Sequence, residues 1–186
     1  MNDVDRLVEA LRQQLLHPWT PDKTGGERVW FLVHDPEKTR AVLARKEAFR
    51  QATEAADKRW VEIDISDEFG RWMAGHRYAA RYYAKPRLAT TIAADFAAAL
   101  VADITRRISE LGVDGQTLFA ITGTESLYGI TKLSHLTKMI EDAIPGRLLV
   151  FFPGEFTEPH YRFLNARDGW SYLAIPIVPV SGRGTA

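Results

Sequence analysis

The sequence predicts a single α/β domain: a three-layer, mostly parallel sheet flanked by helices and finished by a C-terminal antiparallel hairpin. Three observations predict it. The runs Val29–Val33 (VWFLV) and Leu148–Phe152 (LLVFF) are continuously apolar, as strands buried on both faces must be. These runs alternate with stretches whose apolar residues recur every three or four positions, the helical period. No repeat, low-complexity block or Pro/Gly-rich linker divides the chain, so one domain is expected over residues 1–178, with 179–186 as a frayed tail.

Taken in order, Val4, Leu7, Val8, Leu11 and Leu15 predict a first amphipathic helix stopping near His17-Pro18. Residues 18–27 read as a loop, and Val29–Val33 as the first strand. Asp35 is a natural N-cap with Pro36 at the first helical position, so a helix is expected from there to about Asp57. Val61, Ile63 and Ile65 alternate with polar residues and predict a second strand with one wetter face. A short helix holds Phe69, Trp72 and Met73, and a long alanine-rich helix is expected from Pro86 to about Leu111. Leu118–Ile121 is a third strand, followed by a helix from about Glu125 to Ile144. Leu148–Phe152 is the fourth strand, with Pro153-Gly154 read as a turn after it. Two short strands near 160–164 and 170–177 flank the loop Asn165–Gly169, and Pro176 predicts an edge position for the last of them.

Composition narrows the function classes. With 186 residues, 46% hydrophobic and 26% charged, the chain is of ordinary globular make-up and can bury a real core without staples. The absence of cysteine removes disulfides, thiolate catalysis and cysteine-ligated metals. Lys+Arg and Asp+Glu balance at 24 each, so no global field draws the protein to nucleic acid or membrane. The opening MNDVDRLVEALRQQLL is unlike a signal peptide, and no apolar run approaches the ~20 residues of a membrane span. A soluble, cytoplasmic protein is expected.

The standard enzyme signatures are missing: no phosphate-wrapping G-x-x-x-x-G-K-[ST] loop, no G-x-G-x-x-G after a strand, no G-x-S-x-G elbow, no H-E-x-x-H. The five histidines (17, 34, 76, 135, 160) lack metal-ligand spacing. No catalytic residue, metal or cofactor is therefore expected. Ligands of open α/β sheets sit beyond the carboxyl ends of the strands, which read His34-Asp35, Asp64, Thr122-Gly123-Thr124-Glu125 and Pro153-Gly154-Glu155. Gly154 at the fourth strand end is a further candidate ligand residue, and the third end is the sharpest candidate. Its turn offers free amides to a phosphate or carboxylate, or else Thr122 and Glu125 form a capping box that satisfies the same amides internally.

A second candidate is the stretch Arg71–Arg87. Arg71, Arg77, Arg81, Lys85 and Arg87 are interleaved with Trp72, Tyr78, Tyr82 and Tyr83, and no acid interrupts them. Arginine with aromatic faces grips single-stranded nucleic acid, and the same chemistry makes protein-interface hot spots. The plain alternative is a solvated helix face with its rings packed inward.

The block from Leu118 to Ile177 resembles the BrxB family of bacterial BREX (bacteriophage exclusion) defence operons. The resemblance lies in a strand ending in Thr122-Gly123 before a helical segment with the early aromatic Tyr128. It continues in a strand ending in Phe151-Phe152-Pro153-Gly154 and in the segment YRFLNARDGWSYLAIPI. The hairpin sequence NARDGW and a shorter C-terminal segment depart from the family form. The resemblance implies a role in blocking phage replication beside a phosphatase-like protein, a large ATPase and a DNA adenine methyltransferase, and it carries over no catalytic residue. The leading expectation is a non-catalytic structural or adaptor subunit of a BREX-type complex. The alternatives are a nucleotide or phosphate sensor using Thr122–Glu125 and an accessory protein holding nucleic acid weakly through Arg71–Arg87.

Overall fold

Two adjacent parallel strands form the centre of the sheet. In the computed structural model, which describes residues 2–21, 23–85, 91–164, 166 and 170–179, strand β1 (Val29–His34) pairs in parallel with β4 (Arg147–Thr157). The register runs from Val29 opposite Leu148 to His34 opposite Pro153. On the other side of β4 lie β3 (Thr117–Thr122) and then β2 (Arg59–Asp64), both parallel to it. On the outer side of β1 lies the three-residue β7 (Ile175–Ile177), giving the order β2-β3-β4-β1-β7. The fold is therefore the expected α/β sandwich with a mostly parallel sheet.

Side chains alternate across the pleat and divide the core in two. Trp30, Leu32, Leu118, Ala120, Leu149 and Phe151 face α1 (Asp3–Leu15), α2 (Thr39–Ala44) and α3 (Lys46–Ala55). Helix α1 buries Val4, Leu7, Val8, Leu11 and Leu15, the stripe that its sequence spacing predicts. Its start is fixed by Asn2, whose side-chain oxygen accepts from the Asp5 amide at 2.9 Å while Asp5 reaches back to the Asn2 amide. Phe31, Val33, Val61, Ile63, Phe119, Ile121, Val150 and Phe152 face the opposite layer. That layer is formed by α4 (Glu68–Ala74), α6 (Ala93–Glu110), which presents Phe96, Leu100, Ile104 and Ile108, and α7 (Leu133–Ile140). None of the described helices is long and apolar enough to cross a membrane.

The crossovers follow one rule of handedness. From β1 the chain travels toward β2 over the α1–α3 face; from β2 to β3 and from β3 to β4 it returns over the other face. Direction and face reverse together, as a single hand of crossover requires.

Three expectations change. Pro153-Gly154 is not a turn: β4 runs straight through it to Thr157, leaving the parallel sheet to pair with β5 (His160–Phe163) in an antiparallel hairpin. Proline is tolerated there because β4 is changing partners; the Pro153 carbonyl accepts from the Leu164 amide at 2.9 Å. The expected strand over 170–177 splits into β6 (Trp170–Ser171), which pairs with β5, and β7, which crosses to the edge of the main sheet. The helix expected from Glu125 to Ile144 is interrupted. A 3-10 turn covers Thr124–Leu127, Gly129 takes a positive φ of 77°, and α7 begins only at Leu133. The tail residues 180–186 and most of the Asn165–Gly169 loop lie outside the described residues.

Tyr161 fastens the C-terminal segment to this frame. Its ring is fully buried against Phe31 (4.9 Å between centroids) and Phe152 (5.6 Å), and its hydroxyl donates to the Ala174 carbonyl at 2.6 Å. Substituting Tyr161→Phe leaves that buried carbonyl without its donor. Urea unfolding is expected to show a loss of about 1–3 kcal/mol with an unchanged m-value.

Candidate functional site

The parallel strands bring their carboxyl ends to one edge of the sheet, and the register sorts those ends into two pairs. Asp64 of β2 lies opposite Thr122 of β3, and His34 of β1 lies opposite Pro153 of β4.

The β2–β3 end is filled by the protein itself. Gly123 adopts φ +77°, and a Cβ there would collide with Asp64 Oδ1 and come within 2.5 Å of the Ser66 amide. Asp64 Oδ1 accepts from that amide at 2.9 Å. Burial raises the Asp64 carboxyl pKa. Hydrogen bonds from the Ser66 backbone and side chain, with Lys46 and Arg71 nearby, outweigh that effect and hold it below its ordinary value. An anion at the turn would thus meet an ionised carboxylate. Thr124 is buried and its hydroxyl donates to the Phe151 carbonyl at 2.7 Å; that of Ser126 donates to the Gly123 carbonyl at 2.7 Å. The capping box expected from Thr122 and Glu125 is not formed. Thr122 is still part of β3, and the left-handed Gly123 takes the N-cap position with no side-chain cap. Tight packing against Asp64 and Ser66 organises this turn.

The β1–β4 end is open. After β1 the chain leaves over the α1–α3 face, whereas after β4 it leaves through the hairpin on the opposite face. This is the topological switch point of the sheet, where doubly wound folds open a crevice. The crevice has a volume of about 450 Å³. Its walls are Val4 and Leu7 of α1, Val33, Val42 and Leu164; its polar groups are Asp3, His34, Asp35, Glu37, Lys38 and Glu155. Asp35 acts as the predicted N-cap, accepting from the Glu37 amide at 2.9 Å ahead of Pro36. Gly154 forms part of the wall, but its missing side chain serves the hairpin: a Cβ would strike the Arg162 carbonyl.

His34 is 4% exposed. Its Nδ1 lies 3.0 Å from the Leu32 carbonyl, which can only accept, so Nδ1 carries the proton and Nε2 accepts from the Thr39 hydroxyl at 3.2 Å. Burial pushes its pKa below the ordinary histidine range, against the opposing pull of the Leu32 carbonyl and Asp35. Lys38 is ion-paired with Asp3, whose carboxyl is lowered by that hydrogen bond and charge, and Arg162 is paired with Glu155. The Lys38 ammonium is held above its ordinary pKa chiefly by Asp3, with a smaller contribution from the charge of Asp35. Sequence reasoning named His34, Asp35, Gly154 and Glu155 as strand ends. It did not join them to Asp3, Glu37 and Lys38, because that requires knowing that β1 and β4 are neighbours and that the start of α1 lies over their ends.

The Arg71–Arg87 stretch divides into buried and exposed parts. Trp72 packs on Phe96 (5.6 Å) and on His76 (5.1 Å), and Tyr82 meets the His76 ring edge-on at 5.2 Å. These rings anchor α4 and α5 (Ala79–Ala84) to the domain. Tyr78 and Tyr83 remain 50% and 61% exposed, with Arg71, Arg77, Arg81 and Lys85 also exposed around them. Arg77 sits over the Tyr78 ring at 5.4 Å. Arg71 shares Glu68 with Arg107. Arg87 lies outside the described residues.

No family model matches the chain, and neither does any curated protein or solved structure.

Two outcomes follow from the strand ends. Gly123→Ala is expected to destabilise the domain by about 2 kcal/mol or more, from the left-handed backbone and the collision with Asp64; chemical unfolding measures this. His34 resists protonation when folded but takes a proton freely when unfolded. Its contribution to stability is therefore intact above the unfolded value near ~6.5 and falls as pH drops below it, by up to about 1.4 kcal/mol per pH unit. Unfolding free energies measured from pH 7 down to pH 5 should show this slope, reduced in His34→Asn, which retains a donor for the Leu32 carbonyl.

Proposed function

We propose that this chain is a non-catalytic adaptor subunit of a BREX-type anti-phage complex, docking a partner protein through the α4–α5 surface. The observation that carries the reading is the exposed pair Tyr78 and Tyr83, with Arg77, Arg81 and Lys85 beside them, on and around a helix whose base is held by the tilted and edge-on ring contacts of His76 with Trp72 and Tyr82. Tyrosine and arginine are enriched in interface hot spots; tyrosine buries a large area at little cost in side-chain freedom, and arginine supplies a planar fork of donors. A surface held in place before binding loses less entropy on docking. The basic ring selects an acidic face on the partner, and the phosphatase-like protein, the large ATPase and the methyltransferase of such operons are the candidates.

The choice of BREX rests on the sequence resemblance. The residues that carry the resemblance lie near one another: Thr122, Phe151–Gly154 and Tyr161 are on neighbouring strands, Gly123 follows β3, and Tyr128 approaches Phe163 at 6.4 Å. They form one packed unit.

Co-purification with the three BREX-type components, paired with a DNA titration at several salt concentrations, tests the proposal. Tyr78→Ala and Tyr83→Ala remove exposed rings and are expected to leave the unfolding midpoint unchanged. Each hot-spot truncation is expected to weaken capture by ~2 kcal/mol or more. Sub-micromolar single-stranded DNA binding with a log–log salt slope of about −3.5, the value for five phosphate contacts, and with no partner captured, overturns the adaptor reading.

A further inference from the structure

We propose that the cluster of Trp19, Lys58 and Arg147, at the amino ends of β2 and β4, is a binding site for a phosphate dianion, either the free ion or the phosphate of a small monoester. The site is separate from the α4–α5 docking surface, and nothing in the adaptor reading requires it.

A buried charge without a counter-charge marks the site. Arg147 opens β4 and is 4% exposed. Its guanidinium donates to the Gly146 carbonyl at 3.1 Å and to the Thr20 carbonyl at 3.3 Å, and it lies over the Trp19 ring at 5.2 Å. These partners hold the group in place but carry no net charge to balance it. Arg28, which precedes the Val29–Leu148 pair on the neighbouring strand, adds a second guanidinium, and its Nε is buried without a partner. Burial and then the Arg28 charge draw the Arg147 guanidinium below its ordinary pKa, against the weaker pull of Glu27. Among the described residues Arg147 forms no ion pair. Glu27 is held by Thr24 and Lys23, and Asp142 reaches Arg28 at 3.8 Å. A guanidinium taken out of water without an anion is costly, and an anion that reaches it offsets that cost.

The neighbours of Arg147 select the ligand. The Nζ of Lys58 lies over the same indole at 4.9 Å, so one ring carries two cations. Lys58 donates to the neutral Gln116 side chain and forms no ion pair among the described residues. The Trp19 Nε1 proton is buried with no acceptor among them. An indole N–H can only donate, so it also calls for an acceptor. A phosphate at neutral pH carries roughly two negative charges, and its oxygens accept from an arginine fork bidentately. A carboxylate would balance only one of the two cations. An amine would meet like charge, and a neutral molecule would leave Arg147 uncompensated. Trp19, Thr20 and Lys58 are half-buried, so an ion reaches the cluster from solvent without opening the core.

The test uses isothermal titration and thermal unfolding of the full chain with inorganic phosphate, glycerol 3-phosphate and acetate, at one ionic strength set with sodium chloride. Phosphate or its ester is expected to bind saturably and raise the unfolding midpoint with concentration, and acetate to bind about tenfold more weakly or worse. The tighter of the two phosphates separates a free ion from a carried one. Arg147→Met removes the charge and is expected to abolish the phosphate effect. Without phosphate it should unfold at the wild-type midpoint or above, because an uncompensated buried charge has gone. Lys58→Met is expected to weaken phosphate binding about tenfold, and Trp19→Phe, which keeps a ring and removes the N–H, about fivefold. These two variants keep the test readable should Arg147→Met fold poorly. Lys132→Gln, an exposed cation ahead of α7, is expected to bind as wild type. The proposal is overturned by absence of saturable phosphate binding, by acetate binding as tightly, by unchanged affinity in Lys58→Met and Trp19→Phe, or by equal weakening in Lys132→Gln.

Discussion

The structure depends on the parallel pairing of β1 with β4. Both strands are buried on both faces, so their amides and carbonyls can be satisfied only by neighbouring strands. That requirement explains why Val29–Val33 and Leu148–Phe152 are uninterrupted apolar runs, and why helices must cover each side. It also dictates the aromatic content of the core. Phe31 and Phe152 stack at 5.0 Å across the pair, and Tyr161 closes edge-on against both rings. A slip of one residue in this register would send Trp30 and Phe31 to the wrong layers.

The same pair explains how β4 serves two sheets. Along its first half it is a central parallel strand; beyond Pro153 it becomes one arm of an antiparallel hairpin. Proline and glycine sit where this change occurs. Pro153 cannot donate to a ladder, and Gly154 allows β5 to approach more closely than any side chain would permit. These residues thus perform a structural task at the boundary between two sheets, close to the crevice. Pro176 does similar work at the opposite end, in a strand that has β1 on one side only.

Net charge near zero conceals two oppositely charged regions. The crevice at the strand ends is acidic, while α5 and the turn before it are basic and aromatic. Physiological salt screens charges beyond about 8 Å, so each region acts on its own neighbourhood and not through a field of the whole protein. The rigidity of both regions comes from core contacts: Trp72 and His76 beneath α5, and His34 with Val33 beneath the crevice.

Much was legible in sequence because it is local. The stripe of α1, the buried character of β1 and β4, the Asp35-Pro36 start and the edge position of Pro176 all follow from side-chain periodicity, capping and the missing proline amide. These properties act within a few residues. The candidate sites were less legible. Thr122–Glu125 has the composition of an anion-binding turn, yet Asp64 and Ser66, nearly 60 residues earlier, occupy its space. Trp72 and Tyr83 look alike in a basic aromatic run, but Phe96 makes the first an anchor and leaves the second in water. The break in the helix expected from Glu125 falls at a glycine, Gly129, that marks it locally, whereas no local signal reported that β4 would continue through Pro153-Gly154 or that the crevice would open. Those outcomes were decided by strand order and layer packing, through contacts between residues distant in the chain, whose energies depend on which surfaces meet and not on the composition of any one segment.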